Sequence, residues 1–157
     1  MITVDAVRLR PVQVSDLPLM FELQLDVESY RMAVTIPRTR ETFDSVWAVS
    51  LNDPKNTTRA ILVGDLFVGS ISCFPQDGTD HVGYWIDRAF WGRGIASGAL
   101  QLLLQEVTRR PLATTVATSN GASLRILQKC GFVVEKIYHS PASERYPECE
   151  VADLVLK

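Results

Sequence analysis

Between Trp91 and Ser97 two glycines, Gly92 and Gly94, flank Arg93, and an apolar run with helical spacing follows at once: Ile95, Ala99, Leu100, Leu102, Leu103. Just before them stand Val82, Tyr84 and Ile86, three strand formers with Trp85 among them. Glycine permits close backbone approach and unusual dihedrals. A helix that starts there presents unpaired N–H groups and the positive end of its dipole. Such a junction is an anion site, and pyrophosphate is its usual guest. Arg93 adds a full positive charge, and a large side chain at Gly94 would push a phosphate away. The same two glycines also suit a strand and a helix that merely pack closely, and the motif alone does not separate the two readings.

Other residues with chemical capacity are few. Imidazole is the side chain that can take up a proton near neutral pH, so His81 can act as a base, directly or through water; it can equally be a half-exposed residue at a strand end. Asp80 beside it falls on the opposite face if the strand has begun. His81 and His139 are the only histidines, and no His/Cys/Asp cluster has metal-ligand spacing, so no metal site is expected. Cys73, Cys130 and Cys149 are odd in number and show no CxxC spacing, which fits free thiols in a cytoplasmic protein. Asn120 is placed to cap a short helix bearing Ala122, Leu124, Ile126 and Leu127, with Gly131 closing it. Ser123 lies in the first turn of that helix, where a hydroxyl can bond the helix's own backbone.

These residues need a scaffold, and 157 residues with 46% hydrophobic and 22% charged content supply one soluble domain spanning residues 1–157. A net charge of −2 argues against a general nucleic-acid binder. Neither a secretory signal core nor a spanning stretch of about 20 apolar residues is seen, so no membrane partner is expected. Residues 4–12 alternate as a first strand. Ser15 and Asp16 are cap candidates for a helix carrying Leu19, Met20, Leu23 and Val27, and residues 30–38 read as irregular. Thr39 caps a second helix with Phe43, Val46, Trp47 and Leu51 on one face. A hairpin turning at Gly64 and Asp65 leads to the strand at 82–86, and the long helix after the glycines ends near Arg109 and Arg110. Residues 112–118, 132–138 and 150–156 are further strands. The order is βααβββαβαββ: mixed α/β with a sheet of six or seven strands.

That order, with its motifs, resembles the GNAT superfamily of acetyl-CoA-dependent N-acetyltransferases. The family signature Q/R-x-x-G-x-G/A falls on Trp91, Gly92, Arg93, Gly94, Ile95 and Ala96, with Trp91 departing from the usual first residue. The W-G-x-G-x-A variant is similar to the branch of ribosomal-protein N-terminal acetyltransferases, as is the segment 82–86. A second signature, N-x-x-S with a closing G-F, falls on Asn120, Ser123, Gly131 and Phe132. The resemblance implies a mainly antiparallel sheet splayed at its centre, with acetyl-CoA as co-substrate and a primary amine as acceptor. It implies that Tyr84, Trp85 and Ile86 pair with the pantetheine arm and that Gly92, Arg93, Gly94, Ile95, Ala96 and Ser97 hold the pyrophosphate. Asn120 would also bond the pantetheine arm, Ser123 would stabilise the leaving thiolate, and the N–H of Ile86 would face the oxyanion. The tyrosine that much of the superfamily places seven residues after the Asn is Leu127 here, and the strand glutamate of some relatives is Thr115. His81 stands where other relatives carry a base.

A protein or peptide N-terminus is the acceptor slightly favoured by the branch, with a small amine close behind. The segments at Tyr30 and Arg31 and at Tyr138 and His139 would flank the acceptor. The competing reading is an acetyl-CoA sensor or scaffold that binds without turnover, supported by the two missing side chains. A dinucleotide-binding domain fits poorly, because Ser97 replaces the third glycine and the loop lies in mid-chain. The chain is expected to be a monomer or homodimer, with the apolar final strand available as an interface.

Overall fold

The computed structural model describes residues 6–157, so Val4 of the expected first strand lies outside it. The order is β1 (Val7–Pro11), α1 (Leu17–Gln24), α2 (Val27–Ala33), α3 (Arg40–Asn52), β2 (Thr57–Val63), β3 (Leu66–Gln76), β4 (Thr79–Ile86), α4 (Ile95–Glu106), β5 (Leu112–Ala117), α5 (Gly121–Lys129), β6 (Val133–Ser140) and β7 (Cys149–Leu156). Among the described residues seven strands form one sheet ordered β1-β2-β3-β4-β5-β7-β6. Every neighbouring pair is antiparallel except β4 and β5. The final strand lies between β5 and β6, so the interface expected on it has no free strand edge to use.

The sequence foretells two helices after β1, and the structure has three. The first stops at Leu25, and Asp26 turns extended and caps a new helix by accepting from the Ser29 N–H at 3.1 Å. The region read as irregular from residue 30 therefore begins as helix, because an Asp three residues before a Ser reinitiates it. Val34 ends α2 in the left-handed region at φ 53°, unusual for a β-branched residue. Asp16 precedes α1 but makes no side-chain cap to it. Its carboxylate instead pairs with Arg10 at 2.7 and 2.8 Å and accepts from the Gln13 N–H. Thr39 does cap α3, accepting from the Thr42 N–H. The long helix α4 ends at Glu106, short of the two arginines. Arg110 reaches back to the Val107 carbonyl, and Arg109 pairs with Asp80.

Hydrophobic side chains bury both faces of the sheet. On one face Ile61, Val68, Ile71, Val82 and Ile86 pack with Ile95, Ala99, Leu100 and Leu103 of α4 and Leu127 of α5. On the other, Val12, Leu17, Met20, Phe43 and Ala60 form a smaller core under α1 and α3. Alternation along β4 thus gives Val82, Tyr84 and Ile86 to the α4–α5 side and His81 and Trp85 to the α1 side, where the Trp85 indole donates to the Leu23 carbonyl at 3.2 Å.

The part-buried Asp16–Arg10 pair anchors the entry to α1. The Arg10 guanidinium holds the Asp16 carboxyl below the usual carboxylate range. A depressed carboxyl stabilises the fold above its unfolded value, about 3.9, and that stabilisation is lost as pH falls through the lower folded value. Asp16→Asn is expected to cost about 2 kcal/mol at pH 7, the scale of hydrogen bonds to a charged group. In urea melts from pH 7 to pH 2, the gap between wild type and variant should shrink below about pH 4.

Candidate active site

Where β4 and β5 part, the sheet opens. The two strands pair only at Asp80 with Leu112 and His81 with Ala113. Thr114 Oγ1, buried, donates to the Val82 carbonyl at 2.9 Å and makes the last tie. Beyond it β4 stays with β3 as far as Ile86, while β5 follows β7 to Ala117. Main-chain groups alternate along a strand, and the Asp87 N–H donates to Val68 of β3. Those of Trp85 also face β3; a Cβ on Gly69 would collide with the Trp85 carbonyl. Tyr84 and Ile86 therefore face the gap. Of the three residues expected to offer main-chain groups there, Trp85 is the one turned away.

The gap widens into a cleft of about 810 Å³. One end is lined by Gly92, Gly94, Ile95, Ala96 and Ser97. Gly94 stands at the α4 N-cap with φ 76°, and Gly92 has φ 74°. Nothing lies within 4 Å of a Cβ built on Gly92, so its contribution is dihedral freedom facing open space. Ser97 is 6% exposed, and its Oγ has no partner among the described residues. An orphaned buried hydroxyl in the first turn of a helix, beside that turn's unpaired N–H groups, is a set of donors that an anion completes. Arg93 does not line the cleft: its guanidinium lies 5.4 Å over the Phe90 ring. The cations that do are Arg125 and Lys129 of α5 and Arg145 of the β6–β7 loop, none of which carries a motif in the sequence. Trp91, the departure from the usual signature, ties the loop to β4 through its indole N–H and the Ile86 carbonyl at 3.0 Å.

The opposite wall is α5. Asn120 caps it, Oδ1 accepting from the Ser123 N–H at 3.2 Å, which leaves Nδ2 for another acceptor. Ser123 does not bond its own helix backbone. Its Oγ is hydrogen bonded to the Tyr84 hydroxyl at 2.7 Å, across the gap from β4. Burial raises the Tyr84 pKa above its ordinary value, partly offset by that bond, so the phenol stays neutral. His81 sits at the apex of the split, stacked on Phe74, and lines the cleft. Its Nδ1 lies 3.1 Å from the Thr79 carbonyl, which can only accept, so Nδ1 carries the proton and Nε2 is the basic nitrogen. Past His81 the cleft is lined by Met32 to Thr35, Tyr138, Arg145 and Tyr146. Tyr138 thus joins the cleft as expected, while His139, Tyr30 and Arg31 are not among its lining residues.

A family model described as an acetyltransferase (GNAT) domain matches residues 6–133. The chain belongs to the GNAT acetyltransferase family. A comparison with curated proteins finds no match. Among solved structures, this GNAT domain is similar to spermidine N-acetyltransferase from Vibrio cholerae in complex with CoA and spermine, with a TM-score of 0.84 at 14% identity over 97% of this chain and 95% of that one. It is similar to the acetyltransferase that modifies the N-terminal serine of ribosomal protein L7/L12 from Salmonella typhimurium, with a TM-score of 0.78 at 21% identity over 99% and 97%. A third, the microcin C7 self-immunity acetyltransferase MccE with acetyl-CoA and AMP, gives 0.76 at 17% over 96% and 91%. At these identities the likeness is one of fold. No helix among the described residues is long and apolar enough to cross a membrane.

Proposed function

We propose that the protein transfers an acetyl group from acetyl-CoA directly to a primary amine. The observation that carries this reading is the 2.7 Å Tyr84–Ser123 hydroxyl pair across a split sheet, with a glycine loop and an orphaned Ser97 hydroxyl at one end of the cleft and His81 at its apex. Acetyl-CoA, found bound to the similar MccE, supplies the activated acetyl group. The α4 first turn, Gly92, Gly94 and Ser97 would hold its pyrophosphate, with Arg125 and Lys129 adding charge. Tyr84 would pair with the pantetheine arm along the open edge, and Asn120 Nδ2 would donate to it.

An α-amine titrates at about 8 and a lysine amine at about 10.4, so the acceptor must lose a proton before it attacks. His81 Nε2 takes that proton, directly or through water. The Ile86 N–H, on the open edge, donates to the oxyanion that develops as the amine adds. Ser123 donates toward the sulfur as the thiolate leaves, and Tyr84 holds and replenishes the serine proton. The roles fit one catalytic unit working in the cytoplasm as a monomer or homodimer. A peptide N-terminus and a small amine both match this chemistry. The sensor reading leaned on the missing side chains, and Tyr84 answers part of it by bringing a phenol from β4 to Ser123 on α5.

A thiol-release assay with acetyl-CoA and a panel of peptides, amino acids, polyamines and aminoglycosides tests the reading, since a sensor binds acetyl-CoA without consuming it. His81 is tested by comparing wild type with His81→Gln from about pH 5.5 to 9.5 on one acceptor. A base at this position predicts a loss on the order of 10²-fold that shrinks at high pH, where the free amine needs no help. Parallel profiles with a uniform loss below about threefold would return His81 to a strand-end role.

A further inference from the structure

We infer that the acceptor end of the cleft is an anion subsite built from Thr35 and Arg145, so that the amine acetylated here carries a carboxylate or a phosphate. The inference names the acceptor class for the acetyltransferase reading and rests on that reading for where the amine lies. Thr35 is 8% exposed, lines the cleft, and its Oγ1 has no hydrogen-bond partner among the described residues. Arg145 also lines the cleft, and its buried Nε is likewise without a partner. The two come together because the segment after α2 and the β6–β7 loop clasp each other. The Ile36 N–H donates to the Arg145 carbonyl at 2.8 Å, and Arg145 Nη1 donates to the Ile36 carbonyl at 2.5 Å. The main chain of Arg38 is held by the Gln24 side-chain amide, which bonds both its N–H and its carbonyl, and its charge acts on Arg145.

Among the described residues neither guanidinium has a carboxylate partner, and none of the ion pairs includes Arg38 or Arg145. Burial first, and the neighbouring charge of Arg38 second, push the Arg145 pKa down, which is the signature of a desolvated cation without a counterion. Two orphaned donors beside an uncompensated charge are costly in a protein that binds nothing there. A single carboxylate or phosphate satisfies both donors and the charge, and the planar guanidinium is the group best shaped for it. A polyamine would meet like charge. The feature is invisible in the sequence, where Thr35, Arg38 and Arg145 share no motif.

The test uses calorimetry on the intact protein saturated with CoA, which removes turnover and occupies the pyrophosphate end. Phosphoethanolamine is compared with ethanolamine, and glycine with glycinamide, so that phosphate and carboxylate are read separately. At least one anionic member should bind about tenfold or more tightly than its neutral partner, the worth of one hydrogen bond to a charged group. Thr35→Val and Arg145→Gln should each erase that preference. Thr35→Val should melt no lower than wild type, because it replaces an orphaned hydroxyl with a methyl group. Equal binding of both members of each pair, or a preference that survives Thr35→Val, overturns the subsite. Thiol release with acetyl-CoA on the same compounds and on spermidine separates the two levels. Anion binding without acetylation keeps the subsite and removes the acetyltransferase reading. Acetylation with spermidine or ethanolamine preferred removes the subsite and keeps the reading.

Discussion

Gly94→Val is expected to abolish acetyl-CoA binding while leaving a folded protein. In wild type, acetyl-CoA at 100 times its dissociation constant should stabilise the fold by about 2.7 kcal/mol. For a domain of this size that raises the melting temperature by roughly 5–10 °C. Gly94 caps α4 with φ 76°, a conformation that costs an ordinary L-residue about 1–2 kcal/mol and a β-branched one more. The valine either strains the loop or turns the first α4 amides away from the anion, and in both cases the donors beside Ser97 are lost to it. The apo variant should therefore melt a few degrees lower, and its acetyl-CoA shift should vanish. Arg93→Ala should keep most of the shift, because that guanidinium lies over Phe90 and not in the cleft. A valine variant with a normal shift would place the pyrophosphate elsewhere.

The second large effect concerns the Tyr84–Ser123 pair. Tyr84→Phe and Ser123→Ala should each lower kcat on the order of 10²–10³-fold, the usual range for a positioned proton donor. The KM for acetyl-CoA should change little, since the bond to the sulfur is made mainly as it gains charge. The double variant should lose scarcely more than either single one, because both hydroxyls serve one proton path. As burial holds the Tyr84 phenol above its ordinary pKa, no loss from phenol ionisation should appear in kcat below about pH 10. Additive losses in stability with unchanged turnover would make the pair a packing contact between β4 and α5.

What the sequence revealed and what it hid follow from the range of the forces involved. The glycine loop, the Asn120 cap and the Gly64 turn are local devices, each specified by one residue's backbone freedom or one side-chain bond to a near neighbour, and so they are readable from spacing. The parallel β4–β5 seam that creates the cleft needs only two residue pairs, and the motifs pointed to it through family likeness alone. Tyr84 was read for its backbone, and its hydroxyl's meeting with Ser123, 39 residues away, depends on packing between two elements that no period encodes. Asp16 looked like a helix cap because caps favour its type, yet a long-range partner, Arg10 on β1, outbid the helix N–H groups with charge. The break at Asp26 was missed for the opposite reason: the apolar spacing from Leu19 to Val27 ran on through a cap that restarts the helix.

The most direct test of the central claim is a single reaction followed by two readouts: free CoA thiol and the mass of every acetylated species. Direct transfer in the split between β4 and β5 predicts thiol and N-acetylated acceptor in equal amounts, negligible thiol without acceptor, and no acetyl group on the protein. Gly94→Val should show none of this turnover. Acetyl-CoA that binds and shifts the melting temperature but is never consumed by any acceptor, or acetyl groups that accumulate on the protein itself, would contradict it.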